Sequence, residues 1–258
     1  MKTSFWTKLL DLLSPRLCVA CGRRLSPEES VLCPRCMLDL PLTDHLAHPY
    51  DNYMARLLWG HFPVEKAVAM FFYEPKSRPS EIIYSMKYHG QQKVAHDMGH
   101  IFARQLQAVG FFADIDCLVP IPLTRKRRWQ RGYNQAQEIA RGIGEETGLP
   151  IYNKVVERCD FTTSQTHLNI FQRRENVEHA FRLVHSGQRL RALQQRLDSG
   201  QRLQALQQTA GAESIAHKHV LLVDDVVTTG STVIACARQL QQIEDVRISV
   251  LSLGFTKP

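Results

Sequence analysis

The chain has 258 residues, of which 44% are hydrophobic and 22% charged, so it can bury a sizeable core and is not a wholly disordered chain. Its formal net charge of +7 favours polyanionic ligands, whether nucleotide, pyrophosphate or nucleic acid, without choosing among them. No stretch approaches the roughly 20 consecutive apolar residues of a membrane span. Lys8 and Asp11 interrupt the N-terminal apolar residues, which argues against a signal peptide, and we expect a cytoplasmic protein.

Two Cys-x-x-Cys pairs near the N-terminus, separated by eleven residues, predict a metal site. The four ligands would be Cys18, Cys21, Cys33 and Cys36. Four thiolates complete a tetrahedral zinc site with no open position, so this zinc would be structural and would supply the folding free energy of a module over residues 1–45. The alternative is two redox-active or merely buried pairs, but no thioredoxin-like βαβ pattern lies nearby.

The next segment, residues 46–110, is expected to be a largely helical segment, or hood, that connects the cysteine module to the main domain. Residues 41–49 predict a linker in which His45 and His48 are solvated rather than ligands. Residues 67–73 predict a strand, and residues 80–87 and 93–107 predict helices from their apolar spacing. Lys87 falls between the two helices, where a solvated loop is the simpler interpretation.

A second strand, residues 117–122, is followed by a dense run of cations and then by a helix that begins near Asn134. Because parallel strands share one carboxyl edge, these cations would face any pyrophosphate bound at that edge. The candidates are Arg125, Lys126, Arg127 and Arg131. The alternative is a solvated or nucleic-acid-facing surface. Trp129, among the cations, is either a stacking ring for single-stranded DNA or an ordinary packing residue.

Residues 151–156 predict another strand, and residues 158–176 predict a polar, mobile stretch, for which an ordinary surface loop is the alternative. Residues 186–195 then recur as residues 199–208 with a single difference, Arg191 against Gln204. Two copies are too few for a solenoid. We expect this repeat to form a solvated arm, dispensable for folding, inside an insertion at residues 186–214.

The most informative stretch is residues 220–232. Residues 220–223 are a short apolar run, typical of a strand buried on both faces, and Asp224 and Asp225 end it. A turn of small residues follows, and then a helix, which places backbone N–H groups at a helix N-terminus where phosphate binds well. The residues of this turn are Thr228, Thr229, Gly230, Ser231 and Thr232. The alternative is a buried strand–helix corner with an Asp as helix cap. A last strand near residues 246–253 is expected to close the sheet.

This stretch resembles the phosphoribosyl pyrophosphate (PRPP) motif of type I phosphoribosyltransferases. The resemblance implies that Asp224 and Asp225 hold the ribose 2′- and 3′-hydroxyls, that residues 228–232 hold the 5′-phosphate, and that Mg²⁺ accompanies PRPP. It also implies an α/β fold with a doubly wound, mostly parallel sheet in residues 111–258, preceded by a small zinc-ribbon-like module.

Further short motifs, in order along the chain, resemble the ComF/GntX family. They are Lys87-Tyr-His-Gly, Pro120-Ile-Pro, Arg131-Gly-Tyr-Asn-Gln, Gln165-Thr-His-Leu and Arg173-Arg-Glu-Asn-Val. The resemblance implies a PRPP-binding, phosphoribosyltransferase-like protein linked to DNA uptake or to the use of DNA as a nutrient, with catalysis left open because no base-reading segment is recognisable. The alternative is a non-catalytic zinc-ribbon adaptor for single-stranded DNA or DNA-processing proteins, whose phosphoribosyl pocket senses a nucleotide.

Overall fold

The computed structural model describes residues 15–88, 90–159, 180–185 and 211–257. The tandem repeat, His89 and most of the expected loop of residues 158–176 lie outside these ranges. The helices of the described ranges are α1 (Pro34–Leu38), α2 (Tyr53–Trp59), α3 (Ser80–Tyr88), α4 (Gln92–Ala108), α5 (Arg125–Arg131), α6 (Gln135–Thr147) and α7 (Ser231–Leu240). The strands are β1 (Ala67–Phe72), β2 (Cys117–Pro120), β3 (Val156–Arg158), β4 (Phe181–Leu183), β5 (His219–Val227) and β6 (Arg247–Phe255).

Four of the strands form a parallel sheet in the order β1-β6-β5-β2, which confirms the predicted α/β class. The last strand, β6, belongs to this sheet, as predicted, and lies between β1 and β5. Strand β1 belongs to the same sheet, so the segment expected to be a connecting hood supplies one of its strands. The predicted strand at residues 151–156 is wrong in its bounds: Ile151 makes a single bridge to Leu118, and β3 pairs antiparallel with β4 instead.

Both faces of the sheet are buried, as the apolar run in β5 predicts. Leu221 and Val223 pack on one face against α3, α4, α6 and the cysteine module. Val220 and Leu222 pack on the other face against α2 and α7. Alternate residues of a strand point to opposite faces, so an uninterrupted apolar run requires helices on both sides. The sheet is therefore doubly wound. Because the helices cover its two faces, a binding site can form at its carboxyl edge.

The expected linker of residues 41–49 instead covers the free edge of the sheet. Thr43 N donates to Met70 O at 3.1 Å, and Leu42 forms a bridge with Phe71. His45, predicted to be solvated, is fully buried, and its Nδ1 accepts a hydrogen bond from Ala69 N at 3.2 Å. Burial lowers the pKa of His45, which is consistent with a neutral ring. An edge strand needs backbone partners, and this segment provides them.

Within the part of the chain that the structure describes, none of the helices has both the length and the apolar character needed to cross a membrane.

Candidate functional site

The four cysteines that were predicted to bind metal lie close together in the N-terminal module. Their sulfur atoms lie within 4.8 Å of one another, and Cys21 Sγ is 3.8 Å from Cys33 Sγ. Gly22, with a φ of 72°, turns the first pair, and its N–H donates to Cys18 O at 2.8 Å. Pro34 begins α1 directly after Cys33, which acts as its N-cap residue and turns the second pair.

The protonation chemistry of this cluster suits a cation. A hydrogen bond from the Cys36 backbone lowers the pKa of Cys33 to about 7, while burial and the other sulfurs raise the pKa of Cys36. Holding all four sulfurs as thiolates therefore requires a positive charge among them, which Zn²⁺ would supply in a tetrahedral sulfur site. The cluster is one that could hold zinc, as the spacing of the cysteines predicts.

The acid pair lies within β5 rather than after it. Strand β5 continues to Val227, because β6 offers backbone partners as far as Phe255. Asp225 N donates to Asp224 Oδ1 at 2.9 Å, and Val226 N donates to Asp225 Oδ1 at 2.8 Å. These bonds to the backbone fix both carboxylates at the carboxyl edge of the sheet.

A cavity of about 310 Å³ adjoins the acid pair and brings together the groups that the sequence separates. Asp224 and Asp225 line it together with cations from three different elements, and Thr228 and Thr232 complete one wall. The cations are Lys87 from α3, Arg127 and Arg131 from α5, and Arg158 from β3. The volume falls within the range of small-molecule sites.

The predicted cation run folds into helix α5, one turn of which faces this cavity. Thr124 caps the helix by accepting a hydrogen bond from Arg127 N at 3.2 Å. Arg127 and Arg131, four residues apart, line the cavity, while Arg125 and Lys126 are exposed and are not among its lining residues. Of the four residues predicted to face pyrophosphate, helical spacing therefore directs two toward the cavity and two away from it.

Lys87 makes the closest ionic contact in the site. Its Nζ lies 3.2 Å from Asp225 Oδ2, and both side chains are largely buried. The solvated-loop interpretation of Lys87 is therefore wrong, since the residue belongs to the last turn of α3 and points to the acid pair. A charged pair shielded from water interacts more strongly than one on the surface.

The motif at residues 131–135 holds the end of α3 in this position. Tyr133 Oη donates to Met86 O at 2.6 Å, and Gln135 Nε2 donates to the same carbonyl at 3.1 Å. Asn134 caps α6 and donates from Nδ2 to Ile121 O at 3.0 Å. The motif therefore ties α3, the turn after β2 and α6 together, and it places Lys87 beside the acid pair.

We expect Tyr133→Phe to lower the free energy of unfolding by about 1 kcal/mol, because it removes a buried hydrogen bond to Met86 O without leaving that carbonyl unpaired. Urea unfolding followed by circular dichroism would measure the change. Tyr53→Phe is a matched control, since Tyr53 is 52% exposed. Equal stability of the two variants would show that the contact does not hold α3.

The turn between β5 and α7 has the geometry of an anion site. Gly230 takes a φ of 74° as the N-cap residue of α7, a left-handed conformation that other residues rarely adopt. A recess of about 30 Å³ is lined by Asp224 and residues 226–233. The first N–H groups of a helix lack carbonyl partners within it, so they are available to an anion.

The structure also changes the acidity of Asp224. Its pKa is raised to about 7, first by burial and next by the Asp225 carboxylate, while the Asp225 N–H, Lys87 and Arg158 act in the opposite direction. The folded protein therefore retains a proton that the unfolded chain loses above a pH of about 4. Holding the acid pair ionised costs stability, which a bound cation or diol could offset.

We expect Asp224→Asn to remove part of the pH dependence of stability. With the pKa of Asp224 raised to about 7, the contribution of this group to stability is fully present below a pH of about 4 and is lost as pH rises through the window from about 4 to about 7. The variant should be more stable than the parent at pH 8, by on the order of 1 kcal/mol or more, and should lose this advantage near pH 4. Thermal unfolding at both pH values would measure the difference. A parallel pH dependence in the two proteins would contradict the raised pKa.

No motif in the sequence indicated that Arg158 would line the cavity. Arg158 of β3 lines the cavity, and its guanidinium lies 5.2 Å from the centre of the Phe181 ring. Burial, and then repulsion from Arg127, lower the pKa of Arg158. A single Arg at the end of a three-residue strand follows no motif, so only the fold brings it to the acids.

The fold and the site together define the class of protein. It is an α/β protein with a mostly parallel central sheet, in the order β1-β6-β5-β2, and a small four-cysteine module near the N-terminus. No protein-family model matches the chain.

Similar proteins make the assignment more specific. The chain is 26% identical over 227 residues to the DNA utilization protein YhgH of Salmonella typhimurium, covering 87% of this chain and 83% of that protein. It is 25% identical over 228 residues to the protein of the same name in Escherichia coli K12, with the same coverage of 87% and 83%. It is 29% identical over 139 residues to Competence protein F of Haemophilus influenzae, covering 54% of this chain and 50% of that protein. These similarities confirm the resemblance to the ComF/GntX family.

Proposed function

We propose that this chain binds PRPP, together with Mg²⁺, at the carboxyl edge of its sheet, and that this binding serves the uptake or use of DNA. The single observation that carries the proposal is the cavity in which Asp224 and Asp225 meet cations of three elements beside the N-terminus of α7. The names of the similar proteins, which refer to DNA utilization and competence, support the second part.

The charges of the cavity match the parts of PRPP. Paired carboxylates accept hydrogen bonds from a vicinal diol, so Asp224 and Asp225 suit the ribose hydroxyls. The turn of residues 228–232 suits the 5′-phosphate, because helix N-termini favour anions. Arg127, Arg131 and Lys87 would then offset the charge of the pyrophosphate. Mg²⁺ typically binds through carboxylates and substrate phosphates, and this site offers both.

Catalysis would add one step to this binding. If pyrophosphate leaves as a nitrogen nucleophile attacks the ribose, the cations that face pyrophosphate would stabilise the developing negative charge. Arg127 and Arg131 are the groups best placed for this role, since they lie on one face of α5 and both line the cavity.

A thermal-shift titration tests binding. PRPP with Mg²⁺ should raise the melting temperature by several degrees at saturating concentration, because a ligand that binds only the folded state stabilises it. Ribose 5-phosphate and pyrophosphate, added separately, should each give a smaller shift, since each fills only part of the cavity. No shift with any of the three compounds would contradict the proposal. Release of pyrophosphate on adding one nucleobase would distinguish an enzyme from a binding protein.

A second candidate function is binding of single-stranded DNA, and Trp129 favours it. Trp129 is 86% exposed on α5, so it does not pack in the core of this chain, and packing at an interface with a partner is the alternative to base stacking. Five of the seven residues of this helix are Arg or Lys. An exposed aromatic ring among cations is typical of a surface on which bases stack.

Salt and a matched pair of variants test this candidate. Affinity for single-stranded DNA should fall steeply between about 50 and 200 mM salt, and Trp129→Ala should weaken it by about 1 to 3 kcal/mol. Trp59→Ala is the control, since Trp59 is 50% exposed on α2, which carries a single cation. Equal affinity of the two variants would exclude Trp129 as a stacking residue.

A further inference from the structure

We propose that His96, His100 and Glu145 form a second metal site, distinct from the cysteine cluster and suited to a divalent transition-metal ion such as Zn²⁺. This site is independent of the proposed binding of PRPP, since none of its three residues lines the phosphoribosyl cavity.

The three ligand atoms already converge. His96 and His100 are four residues apart on α4, so their rings share one face of the helix, with centroids 4.9 Å apart. Both Nε2 atoms point to the same oxygen of Glu145, at 3.0 Å from His96 and 3.1 Å from His100. All three ligand atoms lie within 4.8 Å of one another, and both rings are largely buried.

The other nitrogen of each ring is held by a carboxylate. His96 Nδ1 lies 3.2 Å from Asp97 Oδ1, and His100 Nδ1 lies 3.0 Å from Glu146 Oε2. A metal-binding histidine typically donates its second N–H to a carboxylate, which fixes the tautomer and makes the free nitrogen a better ligand. Both rings have this arrangement.

Two cations border the cluster, but neither faces the point where the three ligand atoms meet: Arg141 Nε lies 3.5 Å from the other oxygen of Glu145, Oε1, and Arg104 Nε lies 3.2 Å from Glu146 Oε2. If each neutral ring donates through Nδ1, both Nε2 atoms present lone pairs to the Glu145 oxygen, and three acceptors face one another. A metal ion among them removes the repulsion.

The two helices that carry the ligands are held rigidly together. Gly99 of α4 and Gly142 of α6 allow their backbones to touch: a Cβ at Gly99 would collide with the Ile139 carbonyl oxygen, and one at Gly142 with the His96 carbonyl oxygen. Glu145 and Glu146 follow Gly142 by one turn on α6, so this contact brings them to the histidines. Sites built on rigid elements hold their ligands more accurately than sites on loops.

The ligand set indicates the kind of ion. Two imidazoles and a carboxylate suit Zn²⁺, Co²⁺ or Ni²⁺ better than Mg²⁺, which prefers oxygen ligands alone. Three protein ligands leave at least one position for water. His96 also lines a groove of about 990 Å³ between the cysteine module and α4, so the ion would lie at the margin of that groove.

Metal content and titration of the full chain test this proposal. The protein should carry no polyhistidine tag, because a tag binds the same ions. After the cysteine site is filled with Zn²⁺, the chain should bind one further equivalent of Zn²⁺ or Co²⁺ at pH 7.5, measured by calorimetry and by the visible spectrum of Co²⁺. The melting temperature should rise by roughly 5 °C at about 100 times the dissociation constant.

Three variants and a control identify the ligands. His100→Gln and Glu145→Gln should each abolish the second equivalent and leave the first, and Glu146→Gln should weaken the second by about 10- to 100-fold. His61→Gln should behave as the parent, since His61 is exposed and belongs to neither cluster of metal-binding residues. If His100→Gln does not fold, Glu145→Gln decides alone. A parent that binds only one equivalent, or variants that keep the second, would overturn the proposal.

Discussion

Removal of zinc is expected to unfold the N-terminal module before the rest of the chain. Three of the four cysteines are buried at the centre of that module, and the bound cation is what would join the two Cys-x-x-Cys pairs to each other. Zinc bound to such a site contributes on the order of 10 kcal/mol at neutral pH, more than a segment of this size gains from its core. Cys33→Ser should have the same effect as a strong chelator.

Hydrogen exchange distinguishes unfolding of the module from unfolding of the whole chain. Amides of residues 15–40 should lose protection after chelation, while those of β5 and β6 should keep most of theirs. Cys159→Ser is the matched control, because Cys159 lies outside the cysteine cluster and should change neither zinc content nor protection. An unchanged circular dichroism spectrum and unchanged exchange after complete removal of zinc would contradict a structural role for the metal.

The double variant Asp224→Asn with Asp225→Asn is expected to abolish the stabilisation by PRPP while leaving the fold intact. Asparagine keeps the size of each side chain, so β5 should keep its pairing with β6. The loss of both charges removes the strongest acceptors for the ribose hydroxyls and leaves Lys87 without its ionic partner. At a PRPP concentration of about 100 times the dissociation constant, the lost stabilisation should be about 2.7 kcal/mol.

A surface variant provides the comparison for this effect. Asp39→Asn removes one charge at an exposed position, where Asp39 makes only a long ion pair of 3.8 Å with Arg35. It should respond to PRPP as the parent does. Full stabilisation of the double variant by PRPP would remove Asp224 and Asp225 from the site.

The features predictable from the sequence are those whose chemistry is local. Two Cys-x-x-Cys pairs fix a sulfur cluster with few residues between them, and an apolar run of four residues fixes a strand buried on both faces. The turn at Gly230 is also determined locally, because the left-handed conformation that it needs depends on a single residue. These predictions agree with the structure because each depends on neighbours in the sequence.

The features that the sequence did not predict depend on distant residues. Lys87 contacts Asp225 because Tyr133 and Gln135 hold the end of α3. The residues next to Lys87 in the sequence do not indicate this contact. The length of β5 depends on β6, which continues to offer backbone partners beyond the acids. His45 is buried because the edge of β1 needs a cover. In each case a tertiary contact overrides the local preference.

A crystal structure of the chain with PRPP and Mg²⁺ is the most direct test of the central claim. The account predicts the 5′-phosphate at the N-terminus of α7, hydrogen-bonded to backbone N–H groups of residues 228–232, with the ribose hydroxyls on Asp224 and Asp225 and the pyrophosphate toward Arg127 and Arg131. PRPP bound elsewhere, or no PRPP in the cavity at saturating concentration, would contradict it.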